Sequence, residues 1–169
     1  MLPLPNRKYL KKIFLLNVKD GTLIWRRREG IHESWNTKYA GKIAGDPMWS
    51  SGYMRVGIDG KRYLLHRIIF KMFYGREPSE IDHKDTDFLN NRPSNLREAE
   101  HGCNIANGRK RQKTRGLPKG VGLKRGRYSA YIRKHGVAHH LGYFSNPETA
   151  HAAYCAAARR FHGEFARFE

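Results

Sequence analysis

Four dipeptides that end in glycine divide the chain into short segments with apolar residues on either side. In chain order they are Asp20-Gly21, Asp59-Gly60, Arg125-Gly126 and His135-Gly136. Such pairs suit the tight turns of antiparallel hairpins, because glycine accepts the positive φ that those turns need. The pattern predicts hairpins over residues 14–26 and 52–64 and a three-stranded antiparallel sheet over residues 120–144.

Two further segments have apolar residues at helical spacing. The first covers residues 65–73 and is expected to end at Gly75. The second covers residues 150–161, follows a capping box at residues 145–148 and is expected to end at Gly163. Together with the hairpins, these helices predict an α+β fold, in which the C-terminal sheet packs on one helix.

Charge is distributed unevenly along the 169 residues. There are 33 Lys and Arg residues against 15 Asp and Glu residues, a formal net charge of +18. Residues 101–147 contain eleven basic side chains and no acidic one. A run of this length without acids predicts a surface that faces the phosphates of a nucleic acid.

The most polar part of this basic run predicts a linker. Residues 109–118 are rich in Lys and Arg and end in Gly and Pro, a composition typical of a connection between domains. The expected division is therefore a domain at 1–108, a basic linker at 109–118 and a second domain at 119–169. Three basic residues at the start of the linker are candidate DNA contacts: Arg109, Lys110 and Arg111.

Several other classes of protein are disfavoured. No apolar run approaches the roughly 20 residues that span a bilayer, and the N-terminus has no apolar core of a signal peptide. Cys103 and Cys155 are too few for a disulfide framework or a four-thiolate zinc site. We therefore expect no membrane partner and a cytoplasmic protein, in a bacterial host if the chain is phage-encoded.

The densest cluster of Asp, His and Asn residues lies in residues 80–104. A strand ending at Asp82-His83, a loop, a second strand and a helix at 100–107 would give the order β, β, α. In such a unit the Asp-His pair can face Asn104 on the helix, with one hard divalent cation between them. Carboxylate and amide oxygens suit Mg²⁺ or Mn²⁺. A histidine with an ordinary pKa of about 6.5 can accept a proton from water at neutral pH.

This cluster resembles the HNH nuclease family, and within it the phage and intron-encoded homing endonucleases. The resemblance covers about residues 50–108 and rests on His66-Arg67, Asp82-His83, residues 95–98 and Asn104. It implies N-terminal hairpins followed by a ββα-metal nuclease core at about residues 80–108.

The resemblance also implies a role for each residue of the motif. His83 corresponds to the general base, Asn95 to the residue that orients it, and Asp82 and Asn104 to the metal ligands. The last position is Asn where many members have His, which is the His-Asn-Asn pattern of a subset of the homing enzymes. The implied cofactor is Mg²⁺ or Mn²⁺.

Two neighbouring features have structural interpretations. Asp85, Asp87, Asn90 and Asn91 resemble a calcium loop in composition, but the sixth-position Gly and the terminal Glu of an EF-hand are missing. We interpret them as loop and turn residues. His66 lies on a helix predicted to be buried on its apolar sides, so it is interpreted as a structural histidine or a phosphate contact.

The C-terminal sheet is predicted to have one core face and one cationic face. On its middle strand Tyr128, Ala130 and Ile132 alternate with Arg127, Ser129, Tyr131 and Arg133. Residues 119–169 resemble the Apetala/ethylene-response-factor DNA-binding domain, through Lys119-Gly-Val, residues 126–133, residues 141–144 and the alanine-rich helix. By position the resemblance implies five DNA contacts: Lys124, Arg127, Tyr131, Arg133 and His140.

These features predict a hydrolase, an HNH homing endonuclease that cleaves phosphodiester bonds in double-stranded DNA. The alternative is a non-catalytic DNA-binding regulator with a vestigial nuclease domain. A third interpretation is a protein that binds or cleaves RNA, which the absence of a ribonucleoprotein aromatic motif disfavours.

Overall fold

The computed structural model describes residues 2–48, 50–100 and 116–168. The chain divides into two compact units, residues 1–98 and 99–169. Helices and small antiparallel sheets are mixed along the chain, so the predicted α+β class is confirmed. Most of the predicted helix at 100–107 and most of the predicted linker lie outside the described residues.

The first unit begins with a helix and a three-stranded sheet. Helix α1 (Arg7–Ile13) leads directly into β1 (Phe14–Asn17), which pairs with β2 (Thr22–Trp25) in the predicted hairpin. β2 also pairs with β3 (Ile43–Ala44), and α2 (Glu33–Tyr39) lies between those two strands along the chain. The sequence had predicted no element in this connection.

The second hairpin of this unit also forms as predicted. β4 (Asp46–Pro47) pairs with β5 (Met54–Ile58), which pairs with β6 (Lys61–Leu64). Both turn residues between β5 and β6, Asp59 and Gly60, have positive φ values of 49° and 75°. This is the backbone of a tight hairpin turn that matches the twist of the strands.

Helix α3 (Leu65–Tyr74) supplies much of the apolar core of the first unit. It ends at Gly75, whose φ of 81° is the left-handed conformation predicted for a helix C-cap. Its Ile68, Ile69 and Phe70 are fully buried. They belong to the same core as Leu10, Phe14 and Leu96. Ile81, the residue before the Asp-His pair, also belongs to this core.

The second unit is a three-stranded antiparallel sheet with one helix against it. Its strands are β9 (Val121–Lys124), β10 (Arg127–Lys134) and β11 (Val137–Phe144), with β10 in the centre. Helix α4 (Pro147–His162) packs on this sheet through small residues, since Ala150 and Ala158 are fully buried. The predicted C-terminal fold is confirmed.

One local prediction about α4 is wrong. The N-cap is Asn146, whose Oδ1 accepts a hydrogen bond from the Thr149 backbone N–H at 2.8 Å. Pro147 occupies the first helical position because it has no N–H to lose, so the residue before it becomes the cap. Ser145 and Glu148 do not form the expected capping box.

A glycine allows the close approach of helix and sheet in this unit. Gly120 has a φ of 78°, and a Cβ there would overlap the ring of Tyr154.

Within the ranges that the structure describes, no helix is long and apolar enough to cross a membrane.

Candidate active site and nucleic-acid interface

Asp82 and His83 lie at the end of β7 (Glu80–His83), and both are buried. β7 forms a two-stranded sheet with β8 (Leu96–Ala99). The returning strand places Arg97 beside Asp82, with Nε and Nη2 each 2.8 Å from Asp82 Oδ2. A charge-assisted hydrogen bond from Nε and an ion pair with Nη2 therefore compensate the charge of a carboxylate that is shielded from water.

His83 is held by an asparagine from the loop that follows its strand. Asn91 Oδ1 lies 3.0 Å from His83 Nε2. Asn91 Nδ2 donates a hydrogen bond to the Leu89 carbonyl at 3.2 Å, so the amide oxygen is the atom that faces the imidazole. Neutral His83 therefore carries its proton on Nε2, and Nδ1 has the basic lone pair. A base of this tautomer accepts a proton from water through Nδ1.

Asn95 braces the loop that carries Asn91 and does not bond His83 directly. Its Nδ2 donates to Asp85 Oδ1 at 2.9 Å and to the Asn90 carbonyl at 2.7 Å. Its Oδ1 accepts from the Asp85 backbone N–H at 3.2 Å. The structure therefore has Asn91 in contact with His83 Nε2, whereas the side chain of Asn95, for which the resemblance implied the orienting role, bonds to the loop.

The acidic side chains of this loop bond to the loop itself. Asp85 Oδ1 accepts from the Asp87 N–H at 2.9 Å, and Asp87 Oδ1 accepts from the Leu89 N–H at 3.0 Å. Burial raises the pKa of Asp85, but hydrogen bonds from Asp87, Asn90 and Asn95 outweigh it and hold the pKa below its usual value. These contacts agree with the interpretation as loop and turn residues.

His66 packs against the candidate base as a neutral ring. Its ring centroid lies 5.2 Å from that of His83 and 5.1 Å from that of Tyr53. Burial, together with the nearby His83 and Arg67, lowers the pKa of His66 to about 3. His66 is therefore uncharged at neutral pH, which agrees with the prediction of a structural histidine.

Asp82, next to His83, has donor atoms that suit a hard cation. Asp82 offers carboxylate oxygen, and the other expected ligand, Asn104, lies outside the described residues. Within the described ranges no group of three or more His, Cys, Asp or Glu side chains could hold a metal ion. One carboxylate and one amide oxygen are the ligand types that Mg²⁺ and Mn²⁺ accept, with further positions for phosphate oxygens and water.

The predicted DNA-contact residues of the second unit share one exposed face of its sheet. Tyr128, Ala130 and Ile132 face α4, whereas the alternating residues of β10 face away from it. Cross-strand pairing places Lys124 of β9 opposite Arg127 and His140 of β11 opposite Tyr131, on the same outer face. The predicted contacts on this face, all of them exposed, are Lys124, Arg127, Tyr131, Arg133 and His140.

This outer face combines cations with aromatic rings. The Arg127 guanidinium carbon lies 5.7 Å from the centroid of the Tyr143 ring, which lies 4.7 Å from that of His140. Tyr131 covers Gly122, where a Cβ would come within 3.3 Å of Tyr131 Cε1. The three linker candidates, Arg109, Lys110 and Arg111, lie outside the described residues.

Sequence reasoning assigned no site role to Asn91, Arg97 or Tyr143. Asn90-Asn91 has an ordinary loop composition, and nothing in it tells which amide turns towards His83. Arg97 lies within residues 95–98 of the nuclease motif, and two neighbouring strands that carry Asp82 and Arg97 could have suggested a cross-strand ion pair. To predict that Tyr143 lies on the outer face, one needs the strand register, which shifts between Ala130 and Tyr131.

Comparison with known proteins shows which proteins the chain is similar to. Residues 63–104 match the family model described as HNH endonuclease. An uncharacterized HNH endonuclease of Acanthamoeba polyphaga mimivirus is 34% identical over 119 residues, which are 69% of this chain and 62% of the relative. The chain thus spans less than two thirds of that relative's length.

The chain also matches a solved structure that describes DNA binding and cleavage by the HNH homing endonuclease I-HmuI. The match covers 95% of this chain and 91% of the other chain, with 18% sequence identity and a TM-score of 0.44. The matched family segment contains α3, Asp82, His83 and Asn95. The segment of residues 63–104 is therefore similar to the HNH endonuclease family model.

Proposed function

We propose that this protein is a metal-dependent DNA endonuclease of the homing type, which hydrolyses phosphodiester bonds in duplex DNA. The observation that carries the proposal is the His83 imidazole, buried at the end of β7 and held through Nε2 by Asn91. This contact directs the basic lone pair to Nδ1. A histidine prepared in this way is a suitable general base for a water nucleophile.

Each neighbouring residue has a part in this chemistry. His83 Nδ1 takes the proton of the attacking water, and Asn91 stabilises the imidazolium that results by accepting from Nε2. Asp82 and Asn104 would hold the cation, and Arg97 orients the Asp82 carboxylate. A bound Mg²⁺ or Mn²⁺ would stabilise negative charge on the phosphate and on the leaving oxygen.

Duplex binding is assigned to the outer face of the second unit. Lys124, Arg127 and Arg133 supply positive charge there, and Tyr131 and His140 lie between them. Phosphate contacts from such a face give most of the affinity, whereas a few base contacts give specificity. The proposal includes an Apetala-like arrangement, in which this face lies in the major groove. It also includes DNA contacts by Arg109, Lys110 and Arg111.

A vestigial, non-catalytic nuclease domain is the less favoured function. A domain that has lost catalysis has no need for a buried imidazole with a defined tautomer, because burying and bonding polar groups costs free energy. The loop that carries Asn91 is held together by hydrogen bonds: Asn90 and Asn95 both donate to Asp85, and Asn95 also donates to the Asn90 carbonyl.

The test is cleavage of a supercoiled plasmid library with Mg²⁺ or Mn²⁺, with EDTA as the control. The proposal predicts nicked or linear product only with the metal, and sequencing of the ends maps the cleaved step. Competition with structured RNA should leave cleavage of the duplex largely unchanged. Metal-independent cleavage, or no cleavage of any DNA, would contradict the proposal.

A further inference from the structure

Two exposed apolar side chains lie on the hydrogen-bonded loop that follows His83. Phe88 is 40% exposed and Leu89 is 58% exposed. Their loop is held by the hydrogen bonds of Asp85, Asp87 and Asn95 described above. Burial of apolar surface is favourable, so two exposed apolar side chains on a hydrogen-bonded loop indicate a surface that binds a ligand.

The position of Phe88 relative to His83 is set by packing. Its ring stacks on that of Tyr53 at 4.5 Å, and its centroid lies 5.9 Å from that of His83. On another side it meets the backbone of Gly52, where a Cβ would lie 3.6 Å from Phe88 Cδ2. Phe88 is therefore a preorganised surface at a defined distance from the candidate base.

The chemistry of the neighbourhood identifies the occupant. The chain carries a net charge of +18, and the exposed Lys84 and Arg92 flank the loop on either side. Duplex DNA offers apolar base and sugar surfaces within a frame of phosphates. Proteins that deform DNA place apolar side chains against or between bases, and the bend that results brings more of the backbone into contact.

We infer that Phe88 and Leu89 contact the bases and sugars at the cleaved step, partly unstack that step, and so position the scissile phosphate at His83. The inference rests on the proposed endonuclease function and adds positioning residues to it. Phe88 contacts bases and sugars away from the reacting atoms, whereas His83 takes the proton of the attacking water.

The experiment compares Phe88→Ala and Leu89→Ala on two substrates that carry the mapped cleavage site. One is a matched duplex, and the other has a mismatch at the cleaved step, where unstacking costs less. We expect kcat/KM of Phe88→Ala to fall by about 10- to 100-fold on the matched duplex, the range given by loss of a base–aromatic contact. On the mismatched duplex the fall should be less than about threefold.

Phe73→Ala is the matched control. Phe73 is 43% exposed, and its ring lies 4.8 Å from that of Tyr74, so it resembles Phe88 in exposure and in having a tyrosine partner. Its kcat/KM should stay within about twofold of the parent on both duplexes. Equal losses for Phe88→Ala on both duplexes would assign Phe88 a structural role. No loss on either duplex would contradict the inferred contact between Phe88 and DNA.

A binding measurement separates this inference from the proposed function. 2-Aminopurine at the cleaved step should brighten when His83→Ala binds, because that variant binds without cutting, and should not brighten with His83→Ala/Phe88→Ala. Equal brightening with both proteins would overturn the inference and leave the nuclease intact. Failure of the parent protein to cut any DNA would instead contradict the proposed function.

Discussion

Asn91 Oδ1 lies 3.0 Å from His83 Nε2, and both residues are only 2% exposed. The two residues are eight positions apart, and the loop between them is closed by bonds of its own acids and amides. One amide therefore sets the tautomer of the candidate base. The account of the site depends on this pair more than on any other contact.

Removing the amide should slow cleavage without unfolding the protein. Asn91→Ala takes this acceptor from the buried Nε2–H, and we expect a fall in kcat of about 10- to 100-fold, as for other groups that orient a functional histidine. Asn91→Asp keeps an acceptor and should retain more activity. Asn90→Ala is the control, because its side chain bonds Asp85 and does not contact His83. Equal effects at positions 90 and 91 would contradict the assignment.

Gly21 should be needed for the placement of Asn91. Its φ is 67°, and a Cβ there would overlap the backbone of Asn91 and Arg92. Gly30 has a similar φ of 73°, but a Cβ there would meet nothing within 4 Å. Gly21→Ala should therefore lower the free energy of unfolding by at least about 1 kcal/mol more than Gly30→Ala does.

Urea unfolding followed by tryptophan fluorescence measures this difference in the first unit. All three tryptophans lie at positions 25, 35 and 49, within residues 1–98. Gly21→Ala should also cleave DNA more slowly than Gly30→Ala. Equal losses of stability and activity would show that the backbone at Gly21 does not support the loop.

His66 should make the stability of the first unit depend on pH. Its folded-state pKa is about 3, whereas an unfolded histidine titrates near 6.5. Between these values the unfolded chain binds more protons, so stability should fall as the pH drops below about 6.5, by at most about 1.4 kcal/mol per pH unit. His66→Phe should flatten this dependence, and the exposed His139→Phe should not. Parallel pH profiles of stability for the parent and His66→Phe would contradict the assignment of this pH dependence to His66.

Local patterns predicted the hairpins and α3, because turn dipeptides and apolar spacing act within a few residues. The same holds for the alternating faces of β10, since side-chain direction follows from strand geometry alone. The His83–Asn91 contact could not be predicted in this way. It depends on how a loop folds on itself, and Asn91, Asn90 and Asn95 are chemically equivalent until the backbone places them.

On the second unit, Arg133→Ala should act as the loss of a phosphate contact. The slope of log K against log salt should become shallower by about one, with similar losses of affinity for specific and scrambled duplexes. Arg160→Ala, an exposed arginine on α4, should change the slope by much less. A selective loss for the specific duplex at an unchanged slope would mean that Arg133 contacts a base.

The most direct measurement is the single-turnover cleavage rate of His83→Ala on plasmid DNA with Mg²⁺, together with its DNA dissociation constant. Removal of a general base should lower the rate by about 10²- to 10⁴-fold. The dissociation constant should stay within about twofold of the parent, because the charge that binds DNA lies elsewhere. The exposed His139→Ala should match the parent in both. A His83→Ala rate within a few-fold of the parent would contradict the account.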